Sequence, residues 1–113
     1  MSCKISVTPD FIKALKHLSK RYKSLKDDVA ALGVSLQEDP LQGKDLGKGF
    51  RKVRMSITSK GKGKSGGARV ITYTVLLKEI DSELKLLTIY DKSECENLSD
   101  KELQNILKRN GLL

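Results

Sequence analysis

The chain has 113 residues, 38% of them hydrophobic and none Trp, with 22 Lys and Arg against 14 Asp and Glu, a formal net charge of +8. That length suits a single domain over 1–113, with enough chain to bury a core without staples. No run approaches the roughly 20 apolar residues that cross a bilayer, Met1-Ser2-Cys3-Lys4 lacks the apolar core of a signal peptide, and Ser2 stands where N-myristoylation needs glycine, so a cytoplasmic protein with no membrane partner is expected.

Residues 3–7, Cys-Lys-Ile-Ser-Val, alternate apolar and polar and predict a short strand. Thr8-Pro9-Asp10 opens a helix: Thr8 caps, Pro9 suits the first helical position, and Asp10 opposes the positive end of the dipole. Apolar positions then recur at Phe11, Leu15, Leu18, Tyr22, Leu25, Val29, Leu32 and Leu36, alternately four and three apart. Ser24, with Asp27 three residues on, marks a restart. The stripe therefore divides into helices over 9–22 and 25–38, an antiparallel hairpin whose shared apolar face covers a sheet.

Asp39-Pro40 ends the second helix, because proline disfavours helix in the residue before it. Residues 41–49 are expected as loop. From Phe50 to Thr58, Arg51, Val53, Met55 and Ile57 point one way, core-facing from Val53. Phe50, Lys52, Arg54, Ser56 and Thr58 point to an open face. Residues 59–67, Ser-Lys-Gly-Lys-Gly-Lys-Ser-Gly-Gly, predict a flexible hairpin connection. Its Gly63-Lys64-Ser65 fails as a phosphate-binding P-loop, since the first glycine would fall at Thr58 and no helix follows. Ala68–Leu77 and Leu84–Tyr90 predict strands joined by a polar turn over 78–83, giving an antiparallel meander. Ser99 and Glu102 form a capping box, Leu98 and Leu103 its staple, and the final helix ends at Asn110-Gly111. The fold class is α+β, in the order β-α-α-β-β-β-α, with the helical hairpin packed on an antiparallel sheet.

The charge is not spread evenly. Residues 46–78 contain no Asp or Glu and carry nine cations: Lys48, Arg51, Lys52, Arg54, Lys60, Lys62, Lys64, Arg69 and Lys78. Without them the chain has 13 basic and 14 acidic residues, so the whole excess belongs to this span. A lysine-rich loop is most often only a solvated face. Here the cations continue into both flanking strands, and Gly61, Gly63, Gly66 and Gly67 lie among them, which lets backbone approach a phosphate. A polyanionic partner is expected. Cys3 and Cys95 are too few and too far apart in sequence for a metal site and are expected as a reduced pair, buried or half-buried, and His17 falls on a helix as a surface or half-buried residue.

Gly49-Phe50-Arg51-Lys52-Val53-Arg54, the run from Ser59 to Ile71, and Thr88-Ile89-Tyr90-Asp91-Lys92-Ser93-Glu94 together resemble the RelE/ParE superfamily of toxin–antitoxin toxins, in its HigB/RelE-like branch. The resemblance covers nearly the whole chain. It implies a RelE-like, microbial-RNase-like fold and a ribosome-dependent messenger endoribonuclease that enters the ribosomal A site beside ribosomal RNA and needs no metal or other cofactor. It also implies inhibition by a cognate antitoxin, with operator DNA bound only through the antitoxin complex. By the same resemblance Lys52 and Arg54 match the catalytic basic pair, Arg69 the third-strand arginine, and Lys92 a fourth-strand basic residue. Many relatives carry a tyrosine near the final helix. Gapless continuation puts Leu98 there, which leaves Tyr90 as the candidate stand-in.

Metal-free RNA cleavage requires a base for the 2′-hydroxyl, charge stabilisation at phosphorus and a proton for the leaving 5′-oxygen. A lysine among cations gives up its proton more readily, so Lys52 is the expected base. Arg54 and Arg69 are the expected phosphate clamp, and Lys92 is the aid to the phosphate or leaving group. Lys48, Arg51, Lys60, Lys62 and Lys64 are expected to dock RNA. Two other functions fit the same residues: a ParE-like toxin acting on DNA gyrase, and a non-catalytic RNA-binding module. The first has no need of the strand cations. The second would want aromatics on the basic face for base stacking, where only Phe50 and Tyr73 lie nearby.

Overall fold

The structure, a computed structural model, describes residues 2–76, 81–95 and 97–112. In chain order the elements are β1 (Ser2–Val7), α1 (Pro9–Ser19), α2 (Leu25–Glu38), β2 (Lys44–Gly47), β3 (Phe50–Met55), β4 (Ala68–Leu76), β5 (Asp81–Asp91) and α3 (Asp100–Arg109). A single 3-10 turn at Thr58–Lys60 follows β3. The strands form one mixed sheet in the order β1-β5-β4-β3-β2. This is the α+β architecture expected, with two additions. Lys44–Gly47, expected as loop, pairs as an edge strand against β3, and β1 runs parallel to β5 at the other edge. A parallel neighbour needs a long connection; β1 and β5 lie at opposite ends of the chain, so local pattern does not show their pairing.

The helix starts follow their caps. Thr8 Oγ1 accepts from Phe11 N at 3.0 Å and donates to Leu87 O at 2.9 Å, which sets α1 on β5. α1 stops at Ser19, short of the expected residue 22, so Tyr22 lies in the joint with its ring still packed on the core. Ser24 does not cap α2 with its side chain. Its hydroxyl donates to Asp28 Oδ2 at 2.8 Å and accepts from Ser59 N at 2.8 Å, so the residue ties α2 to the 3-10 turn instead. The capping box at Ser99 and Glu102 forms as predicted.

Two apolar layers follow from strand alternation. Val53, Met55, Ala68, Val70, Leu84, Leu86 and Ile89 pack under α1 and α2 with Phe11, Leu18, Leu25, Leu32 and Leu36. On the opposite face, Phe50, Ile71 and Leu87 pack under α3 with Leu103, Ile106 and Leu107. Phe50, expected on an open face, is therefore 3% exposed. Its ring meets Tyr73 with centroids 5.2 Å apart. The helix roofs only part of this second face, and the uncovered part carries Lys52 and Arg54 of β3 and Arg69 of β4.

Candidate active site

Alternation along β3 places Phe50, Lys52 and Arg54 on one face, and the ladder sets Arg54 opposite Arg69 and Lys52 opposite Ile71. Arg69 in turn lies opposite Tyr90 of β5. Next to the segment before α3 this face opens into a cleft of about 730 Å³, lined by Gln42, Gly43, Lys44, Lys52, Val53, Arg54, Lys64, Arg69, Lys92 and Asn97. Six of the lining side chains are cationic, and among the described residues none is acidic or imidazole. All four cations expected to act together, Lys52, Arg54, Arg69 and Lys92, line this one cavity, with Lys92 in the turn just after β5 rather than on a strand.

Each is held differently. Lys52 Nζ donates to Asn97 Oδ1 at 2.7 Å, which draws the lysine toward the segment before α3. Arg69 is 4% exposed. Its guanidinium donates to Lys64 O at 2.9 Å, Ala68 O at 3.1 Å and Ser65 O at 3.3 Å. No carboxylate pairs with it among the described residues. Burial lowers its pKa, and the Arg54 charge lowers it further. Like charges directly opposite each other on neighbouring strands repel. A phosphate between Arg54 and Arg69 would relieve that repulsion. Arg54 is exposed and Lys92 half-buried, and the Lys92 backbone N–H donates to Gly67 O at 3.0 Å.

The loop cations scatter. Lys64 lines the cleft and Lys62 is exposed at the loop surface. Arg51 lies on the other face of β3, paired with Asp45 at 3.6 Å. Lys48 sits in the β2–β3 turn at φ 55° beside α3, where a separate small cavity includes Asp100 and Gln104. Lys60 is turned inward, its ammonium 2.8 Å from Asp91 Oδ1. Lys78 lies outside the described residues. Tyr90 borders a neighbouring cavity with Cys95, Leu98 and Glu102, and burial raises its pKa. Cys3 and Cys95 are free and half-buried, and His17 is exposed.

The connection over 59–67, expected to be flexible, is fastened at both ends. Asp28 accepts from Thr58 N at 2.9 Å and from Thr58 Oγ1 at 2.6 Å where the loop begins, and Arg69 holds the Lys64 and Ser65 carbonyls where it returns. Gly67 makes this closeness possible: a Cβ there would lie 2.1 Å from Met55 O. Sequence reasoning overlooked Lys44, Gln42 and Asn97 in the cleft. Lys44 stands two residues before the acid-free span, and its register opposite Lys52 could be read only once β2 was recognised as a strand.

Among the described residues no helix is long and apolar enough to cross a membrane. Residues 7–111 match the family model described as the RelE toxin of the RelE/RelB toxin–antitoxin system. With that match running almost end to end, over a sheet whose open face gathers strand cations, the chain belongs to the RelE toxin family and is a toxin of a toxin–antitoxin system.

Proposed function

We propose that this single-domain toxin is a ribosome-dependent messenger endoribonuclease that works in the cytoplasm without metal and is silenced by a cognate antitoxin. The observation that carries the reading is the cleft of six cations with no described acid or histidine on its wall. Such a site favours an RNA backbone over a neutral or cationic ligand, because phosphate neutralisation supplies most of the affinity. It also concentrates positive charge where a pentacovalent phosphate would develop negative charge.

In the proposed reaction the 2′-oxygen attacks the adjacent phosphorus and the bond from phosphorus to the 5′-oxygen breaks. A 2′,3′-cyclic phosphate and a 5′-hydroxyl result. Lys52, steadied by Asn97, takes the 2′ proton. Arg54 and Arg69 hold the non-bridging oxygens. Lys92 gives a proton to the leaving 5′-oxygen, and Tyr90 stands one strand away from Arg69 as a second candidate for that step. Lys44, Lys62 and Lys64 steer the messenger and ribosomal RNA into the cleft.

Lys52→Met and Arg54→Gln test the reading more cleanly than Arg69→Ala, which would also release the loop carbonyls that Arg69 holds. Each should lower cleavage of a translated messenger by about 10²–10³-fold, with the far-ultraviolet circular dichroism spectrum retained. Full cleavage by Lys52→Met and Arg54→Gln would leave a backbone-binding protein.

A further inference from the structure

One cation of the basic segment is spent inside the protein, and its partner belongs to no site described so far. Asp91 ends β5 at 1% exposure. Its Oδ1 accepts from Lys60 Nζ at 2.8 Å, Ser93 N at 2.9 Å and Ser93 Oγ at 2.8 Å. Its other oxygen accepts from the Tyr22 hydroxyl, and Arg21 Nη2 lies 3.9 Å away. Four segments thus converge on one carboxylate: the α1–α2 joint, the 3-10 turn that opens the basic loop, the end of β5 and the turn that follows it.

Lys60 is enclosed at this place. Only 13% of its side chain is exposed, and its ammonium lies 5.8 Å from the centroid of the Tyr22 ring. An ammonium drawn out to RNA would leave a buried carboxylate without its main counter-charge, which is among the costliest states of a protein interior. The segments that meet at Asp91 also carry one wall of the cleft. Lys64 follows Lys60 in the loop, Lys92 follows Asp91 in the chain, and the Lys92 N–H reaches back to Gly67 O.

Resting on the cleavage reading, we propose that Asp91 is a positioning residue for the reaction, with Lys60 as its counter-charge rather than an RNA contact. By fixing the start of the basic loop and the turn after β5 on one carboxylate, it presents Lys64, Arg69 and Lys92 to the phosphodiester as a preformed set.

The test compares Asp91→Asn, Lys60→Met, Lys60→Arg and the exposed-loop variant Lys62→Ala in two assays. The first is cleavage of messenger on translating ribosomes, resolved into kcat and KM. Asp91→Asn and Lys60→Met should lower kcat by about 10–100-fold with KM little changed, since small misplacements of reacting groups cost that much. Lys60→Arg should restore most of the loss, because it keeps the charge pair. Lys62→Ala should instead raise KM. The second assay is amide hydrogen exchange on the free protein, which does not depend on cleavage. In Asp91→Asn and Lys60→Met the amides of Gly61, Gly67 and Lys92 should exchange about tenfold faster while Val70 and Ile89 in the central ladder keep their protection. Equal acceleration in loop and ladder would reduce Asp91 to a general stability residue. A raised KM with wild-type kcat in Lys60→Met would make Lys60 an RNA contact. Either outcome overturns the proposal. If the wild type cleaves nothing, the nuclease reading fails by itself, and the exchange pattern still decides whether Asp91 orders the loop.

Discussion

Among the described residues, Asp91 is the carboxylate held furthest from its ordinary pKa. Burial pushes its pKa up, but the hydrogen bonds from Lys60, Tyr22 and Ser93 outweigh burial and hold it well below the usual carboxylate range. A carboxyl depressed in the folded state stabilises the protein fully above its unfolded value, about 3.9. That contribution is lost as pH falls from there through the folded value. Melting temperature should therefore drop steeply below about pH 4. Asp91→Asn should melt lower than wild type at neutral pH and approach it in acid; parallel curves would mean the pairing contributes nothing. Of the cleft cations, Lys52 and Arg54 were legible at this scale because strand alternation assigns them to one face whatever lies beyond, whereas Arg69 and Lys92 were matched through the family resemblance and Lys44 was not read. Lys60 and Asp91 were not. A lysine in a Gly-Lys run and an aspartate after a strand look solvated until tertiary packing brings Tyr22 and Ser93 around them.

Among the elements, α3 bounds the site from outside it: Leu103, Ile106 and Leu107 roof Phe50 and Ile71 and leave the cationic half of that face open. Its N-terminus is held by Ser99 and Glu102 in reciprocal bonds, each backbone N–H to the other's side chain at 3.1 Å. Ser99→Ala should cost about 1 kcal/mol in urea unfolding; a loss below a few tenths would show that packing alone holds the helix. The two serine-based start signals had different outcomes for a physical reason. Ser99 has extended backbone that aims its oxygen at the first turn, whereas Ser24 sits at φ −82°, ψ −6° and its hydroxyl turns to Asp28 and Ser59. β2 went unread because its four residues, Lys-Asp-Leu-Gly, have little strand character. Its pairing is imposed by β3, through a turn in which Lys48 takes the left-handed conformation.

Across the whole molecule, the sheet divides the labour. One face packs under α1 and α2, and the other is shared between α3 and the cleft, so the six cleft cations fall where no helix covers them. The order of elements was legible because each apolar run has its own period, and the parallel edge was not, because it joins opposite ends of the chain. Attack by a 2′-hydroxyl, driven by the gathered cations, would leave its record in the cleaved RNA. The most direct measurement is the chemistry of the new RNA ends after expression with and without translating ribosomes. Ribosome-dependent cuts should leave a 5′-hydroxyl and a 2′,3′-cyclic phosphate or its hydrolysed 3′-phosphate, all lost in Lys52→Met. Cuts bearing 5′-phosphate and 3′-hydroxyl, or an intact messenger in the presence of folded toxin, would contradict 2′-hydroxyl attack.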